Sequence, residues 1–269
     1  MATQSNRPEF SVLMATHLRA PLLRRSLSSL RAQTFQDFEI VVVADAWDAE
    51  TAAVAAELLR PQDRFIKRSG KPGPAESRNT ALDQARGEWI VFLDDDDSFE
   101  PQHLAQLAAA HRAGPARVLY SDCDIVTEDR TQPGMPPLSR QRLDLGSQNT
   151  QQLWVKNYIP NHALAFHHTV LDGVRFDTHM ASLEDWEFLL AACEHSHLPS
   201  YYPGGGAVMH KDYVNPGTRR GTAESSTNSL VILDFLYAYR RRPAPTAALR
   251  EARRALLTGV GLSLPVEWF

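Results

Sequence analysis

Residues 76–97 read ESRNTALDQARGEWIVFLDDDD, and the fold follows from how this stretch divides. Its first part completes a helix expected over Pro74–Ala85, which Gly87 ends. Trp89–Leu93 (WIVFL) is an unbroken apolar run of strand length, and four aspartates, Asp94–Asp97, follow it directly. A strand with no polar alternation is buried on both faces, as strands of a parallel sheet covered by helices are.

Moving outward, the pattern repeats. Phe10–Ala15 (FSVLMA), Glu39–Val43 (EIVVV), Arg64–Ile66 and Val118–Ser121 read as further strands. Helices are expected over Leu22–Ala32, with Leu22, Leu23, Leu27 and Leu30 on one side, over Thr51–Leu59 before Pro61, and from Pro101, a tolerated first-turn proline. This alternation specifies an α/β fold, a Rossmann-like, mostly parallel sheet between helices. Such sheets bind ligands in the crevice beyond the carboxyl ends of their strands. Those ends carry Thr16-His17, Asp45 and Asp94–Asp97.

Residues 130–150 are rich in Pro, Gly and polar groups and read as a long loop. A strong helix is expected over Leu183–Glu194, and C-terminal helices over Ser229–Arg241 and Thr246–Leu257. The domain expectation is a catalytic unit over 1–220, with a nucleotide-binding half at 8–128 and an acceptor-binding half at 129–220. A helical extension over 221–269 follows it.

The 269 residues are 43% hydrophobic and 22% charged, with a formal net charge of −4. That balance builds a core and argues against nucleic acid as a partner. No run approaches the roughly 18 apolar residues of a membrane span. MATQSNRPEF lacks the apolar core of a signal peptide, so a cytoplasmic location is expected. Cys123 and Cys193 share no metal-ligand spacing and read as small buried residues.

Four adjacent carboxylates repel one another unless they are solvated or neutralised. A divalent ion such as Mg²⁺ or Mn²⁺ takes oxygen ligands and bridges carboxylates to substrate phosphates. The plainer alternative is an acidic turn before the helix at Pro101. His167 and His168, read as strand neighbours, point to opposite faces and cannot share an ion. His195 and His197 follow a helix end, Gly204–Gly206 is a turn with no phosphate-loop lysine after it, and His210-Lys211 precede a closing loop through Asn215, Pro216 and Gly217.

Three blocks, in order, carry a resemblance. ESRNTALDQARGEWIVFLDDDD resembles the signature of family 2 glycosyltransferases, with its Ser-Arg-Asn helix start, Ala-Arg-Gly-Glu turn, apolar strand and aspartate-x-aspartate motif. FSVLMATHLRAPLLRRSLSSLRAQTFQDFEIVVVADA resembles that family's opening strand, Arg-rich helix and Gln-Thr-Phe turn, and SLEDWEFLLAA its Glu-Asp-Trp helix. The resemblance implies a GT-A fold and inverting transfer of a sugar from a nucleotide diphosphate donor, UDP being expected, to an acceptor hydroxyl in surface polysaccharide or glycoconjugate synthesis. It implies Mn²⁺ or Mg²⁺ as cofactor and a glycan, lipid-linked or protein acceptor. Position by position, it assigns Asp185 as catalytic base and Thr16, Asp45, Arg78, Asp94 and Asp95 to the donor. Asp96 would hold the metal, with His210 a further metal or diphosphate contact. Two departures stand out. One aspartate, Asp45, follows the second strand where the family shows two, and Ala46-Trp47-Asp48 replaces its Gly-Ser turn.

Three other readings compete. A nucleotidyltransferase would carry a glycine-rich basic loop where this chain has ATHLRAPLL, and a nicotinamide enzyme would need Gly-x-Gly-x-x-Gly there. A catalytically silent sugar-nucleotide or glycan-binding module would not need Asp94, Asp96 and Asp185 together. The C-terminal tail gathers Arg240, Arg241, Arg242, Arg250, Arg253 and Arg254, with an apolar stripe of Ala248, Leu249, Ala252, Leu256 and Val260. That stripe suits peripheral contact with the inner face of a membrane, packing on the catalytic unit, or a second subunit in a homo-oligomer.

Overall fold

A computed structural model describes residues 7–194, 197–214 and 229–269. In chain order the elements are β1 (Phe10–Thr16), α1 (Ala20–Arg31), β2 (Phe38–Ala44), α2 (Ala49–Leu58), β3 (Arg64–Lys67), α3 (Pro74–Gln84) and β4 (Trp89–Phe92). There follow β5 (Ser98–Phe99), α4 (His103–Arg112), β6 (Val118–Tyr120), β7 (Cys123–Glu128), β8 (Pro137–Leu143) and β9 (Leu164–His167). Then come α5 (Glu184–Glu194), β10 (Ser200–Tyr201), β11 (Ala207–Asp212), α6 (Ser229–Arg241) and α7 (Ala247–Gly259).

The main sheet runs β10-β6-β9-β4-β1-β2-β3. β4, β1, β2 and β3 are mutually parallel, so the ends of β1, β2 and β4 open on one edge. β9 enters antiparallel between β4 and β6. β2 is buried at every position, as its unbroken run of β-branched residues requires. One continuous core joins β1, β2 and β4 to Phe166 and Phe188 of the second half.

The expected loop over 130–150 needs correction. It contains β8, which pairs antiparallel with β7 in a four-stranded sheet ordered β5-β11-β7-β8. Its sequence PLSRQRL is exposed almost throughout, so no apolar alternation marks it. Its backbone pairing with β7 makes it a strand. The reading of Gly87 also changes. The helix ends at Gln84, and Gly87 sits where a Cβ would meet the Ser11 nitrogen at 2.3 Å, its own N–H donating to Ser11 Oγ at 2.7 Å. Close approach to β1 therefore requires the glycine. His167 and His168 do not share a strand: β9 stops at His167, and the two rings stack at 4.7 Å. His195 and the loop through Asn215–Gly217 lie outside the described residues, as does the expected boundary at 220/221.

The C-terminal helices pack against the preceding α/β body. Ala238, Tyr239, Leu257 and Phe269 form a second core with Trp186, Leu190 and Met180, and Leu249 joins Val155 and Ala244 in a third. Ala252 and Leu256 pack on that third core and Val260 on the second, while Ala248 is exposed. The basic residues are partly consumed as well. Arg242 pairs with Glu187 and Glu194, and Arg241 with Asp177 and Glu187. Arg253 is fully buried, donates to the Trp154 and Arg242 carbonyls at 2.6 and 2.8 Å, and lies 4.2 Å over the Tyr239 ring. Burial pushes its pKa down to about 10. Among the described residues, no helix is long and apolar enough to cross a membrane.

Arg253 thus joins α6, α7 and the 154 turn. Arg253→Ala should leave a cavity and two carbonyls unpaired, lowering stability by about 2–4 kcal/mol in urea unfolding. A change below about 0.5 kcal/mol would remove the residue from the scaffold.

Candidate active site

The ends of β1, β2 and β4 border a cavity of about 590 Å³ whose lining includes Thr16, His17, Asp45, Arg78, Asp94–Asp97, Asn161, His162 and Asp185. At its centre the chain turns sharply through the four aspartates, with Asp97 N–H donating to the Asp94 carbonyl at 3.1 Å. Ser26 of α1 holds the turn from below, donating to the Asp95 and Asp97 carbonyls at 2.8 and 2.5 Å. Arg25 adds a bond to the Asp96 carbonyl at 2.6 Å. No motif in the sequence marks Ser26, whose task is backbone contact.

The turn sorts the four carboxylates. Asp94, Asp96 and Asp97 each bring an oxygen within 4.8 Å of the others. Asp95 is fully buried, held by Thr16 Oγ at 2.7 Å and by Arg19 at 2.8 Å. Burial, aided by Asp96 and Asp94, pushes its pKa up to about 7 against the pull of Arg19 and Thr16. Thr16 and Asp95, both expected at the donor, line the cavity and bond each other under the turn. Asp97, singled out by no motif, takes a place in the acidic triad instead.

Each remaining carboxylate has a cationic or N–H neighbour. Arg78 donates to Asp94 at 2.7 Å and to Glu184 at 2.8 Å. Burial opposes its charge, but these two acids more than offset it and raise its pKa. Arg130 approaches Asp96 at 3.3 Å, and His162 Nδ1 approaches Asp97 at 3.2 Å. Asp45 is held by His17 Nδ1 on one oxygen and by the Gly73 N–H at 2.7 Å on the other.

His210 does not join the triad. Strand alternation in β11 turns Met209 to this cavity and His210 to a neighbouring one. Its Nδ1 meets Glu128 at 3.0 Å and its Nε2 meets Ser98 Oγ at 2.8 Å, while its backbone N–H donates to Asp97 at 2.8 Å. Burial would raise the Glu128 pKa, but bonds from His210, Arg25 and Arg130 hold it down at about 2. The ring nitrogens of His210, expected as a further metal or diphosphate contact, sit in this second network, and its contact with the acids is through the backbone.

Asp185 enters from α5. Just before the helix, Leu183 has φ +62°, a conformation that costs a branched residue energy. Asp234 of α6 steadies that turn, accepting from both the N–H and the hydroxyl of Ser182 at 2.8 Å. Burial first, then the neighbouring Glu184, push the Asp185 pKa up to about 6, against Arg78 and the Trp186 N–H. The arrangement is a cluster of three carboxylates that could hold a metal ion, beside a guanidinium and a carboxylate whose pKa is pushed up to about 6.

The chain is similar to known proteins. The model of the family described as Glycosyl transferase family 2 matches residues 11–174. A Campylobacter jejuni protein, GalNAc(5)-diNAcBac-PP-undecaprenol beta-1,3-glucosyltransferase, is 36% identical over 124 residues, 45% of this chain and 40% of its own length. The chain thus matches less than half of that relative. S. aureus TarS in complex with UDP-GlcNAc aligns with a TM-score of 0.69 at 20% identity over 95% of this chain and 73% of that one. A Pyrobaculum calidifontis mannosyltransferase, PcManGT, in complex with GDP-Man and Mn²⁺, aligns at 0.59 and 18% identity over 98% and 78%. The two structures establish the shared GT-A fold.

The electrostatics predict a measurable titration. In the ligand-free protein, carboxyl NMR should find Asp185 titrating near pH 6. Its folded value exceeds the unfolded one of about 3.9, so its stabilising contribution is full below pH ~4 and lost as pH rises through 6. Glu184→Gln should lower the midpoint, since Glu184 raises it. A midpoint near 4 in the parent protein would contradict this environment.

Proposed function

We infer the reaction from one premise: the chain belongs to glycosyl transferase family 2. The protein is a metal-dependent, inverting glycosyltransferase that moves a sugar from a nucleotide diphosphate donor to an acceptor hydroxyl. The observation that carries this reading is the triad Asp94, Asp96 and Asp97, gathered at the end of β4 in the same cavity as Asp185. Three carboxylates with no sulfur or imidazole in the set fit a hard cation, Mn²⁺ or Mg²⁺. When bound, that cation supplies positive charge to the departing diphosphate.

The protein's own groups do the rest. Asp45, beyond β2, and its partner His17, beyond β1, face the nucleobase side. Arg78, fixed by Asp94 and Glu184, presents a guanidinium beside the phosphates. Asp185 takes the proton of the incoming hydroxyl, and its raised pKa makes it a stronger base than an exposed aspartate. Attack opposite the leaving diphosphate inverts the anomeric centre. In this reading residues 8–128 serve the nucleotide and 129–220 the acceptor, and α6 and α7 belong to the extension assigned to 221–269.

UDP-sugar is the donor favoured by the fold shared with a UDP-GlcNAc complex, and a lipid-linked glycan the acceptor favoured by the Campylobacter relative. Such an acceptor would place the protein at the inner face of a membrane, with Arg240 and Arg254 among its exposed basic groups.

Asp185→Asn should keep donor affinity and lose turnover by about 10²-fold or more. In the parent enzyme kcat/KM should rise with pH to a plateau with its midpoint near 6, because only the deprotonated carboxylate accepts the proton. A profile flat from pH 5 to 8, or Asp185→Asn turnover close to the parent's, would remove Asp185 as base.

A further inference from the structure

One polar side chain in the cavity has no task in the mechanism above. Asn161 is only 5% exposed and lines the cavity, yet neither its amide nitrogen nor its amide oxygen has a hydrogen-bond partner. Folded proteins pair nearly all buried polar atoms, and two orphaned atoms on one side chain cost the ligand-free chain free energy. The sequence offers no route to this residue, because NHALAF resembles any turn leading into a strand.

The strand register locates Asn161 along the bound donor. β9 pairs with β4 as Trp89 with His167, Ile90 with Phe166 and Val91 with Ala165. Continuing that register sets residue 163 beside Leu93, so Asn161 and His162 stand next to the acidic turn. The contact of His162 with Asp97 agrees. The order β9-β4-β1-β2 then puts Asp45 and Asn161 on opposite sides of that turn, about 14 Å apart at ordinary strand spacing. Base side, acidic centre and far side follow the order of base, diphosphate and sugar in a nucleotide diphosphate sugar.

We propose that Asn161 reads the sugar of the donor, its amide N–H donating to one ring hydroxyl and its amide oxygen accepting from the neighbouring one. This rests on the glycosyltransferase reading and adds the group that recognises the hexose. A vicinal hydroxyl pair matches the side chain because each hydroxyl both donates and accepts, whereas the amide offers one function at each end. The orphaned atoms gain partners only when the sugar is present. Affinity for the sugar therefore comes at the expense of stability in the empty protein.

The test compares the full chain with Asn161→Ala and Asn161→Ser, in Mn²⁺, by thermal unfolding and by calorimetric titration. The probes are UDP, GDP, UDP-glucose, UDP-galactose, UDP-GlcNAc and GDP-mannose. In the ligand-free state both variants should melt at the parent temperature or above it. Affinity for the nucleoside diphosphate should stay unchanged, while affinity for the preferred sugar nucleotide should fall roughly 10-fold in Asn161→Ala, with Asn161→Ser between. Equal loss for diphosphate and sugar nucleotide, no loss for either, or failure of both variants to fold would overturn the proposal. If the parent protein binds none of the six probes, the glycosyltransferase reading itself falls.

Discussion

Four carboxylates in sequence must be kept from repelling one another at the end of β4. Unit charges of like sign 4 Å apart cost about 4 kcal/mol at a protein-surface dielectric, so the run needs a scaffold that separates and compensates its members. The scaffold draws on every layer. Asp95 is buried against Thr16 and Arg19 from the first strand and its following loop. Asp94 faces Arg78 of α3, Asp96 faces Arg130, and Asp97 faces His162 and the backbone of β11. Ser26 fixes the backbone beneath them. Three carboxylate oxygens still converge on one point, which is the arrangement a cation stabilises further.

The same logic extends to the C-terminal helices. Asp234 of α6 holds Ser182, and the strained Leu183 and then Asp185 follow within three residues. Glu187 on α5 pairs with Arg241 and Arg242, and Arg253 joins α7 to the 154 turn. The helices therefore brace the segment that presents the proposed base, and the stripe suited to a membrane is largely occupied by internal packing. Arg78 links this segment to the acidic turn by bonding Glu184 and Asp94 at once.

Much of this was legible in the sequence. β1, β2 and β4 announced themselves by unbroken apolar runs, and the acidic run followed β4 where a parallel sheet opens its crevice. The Glu-Asp-Trp helix marked Asp185. What stayed hidden had no periodic signal. β8 is polar because its side chains face solvent, and its strand character comes from pairing with β7. The assignment of Asp95 and Asp97 depends on which way a tight turn throws each side chain, and consecutive aspartates look alike until the backbone is folded. One step along β11 exchanges cavities, so which of them His210 lines depends on the strand register. Asn161 is defined by the partners it lacks.

If the Asp94–Asp97 turn is a cation-dependent diphosphate site, calorimetric titration with UDP will show it. With Mn²⁺ present UDP should bind, and its affinity should weaken at least about 10-fold when EDTA removes the ion, and likewise in Asp97→Asn with the ion restored. UDP affinity indifferent to Mn²⁺, with full affinity retained in Asp97→Asn, would contradict it.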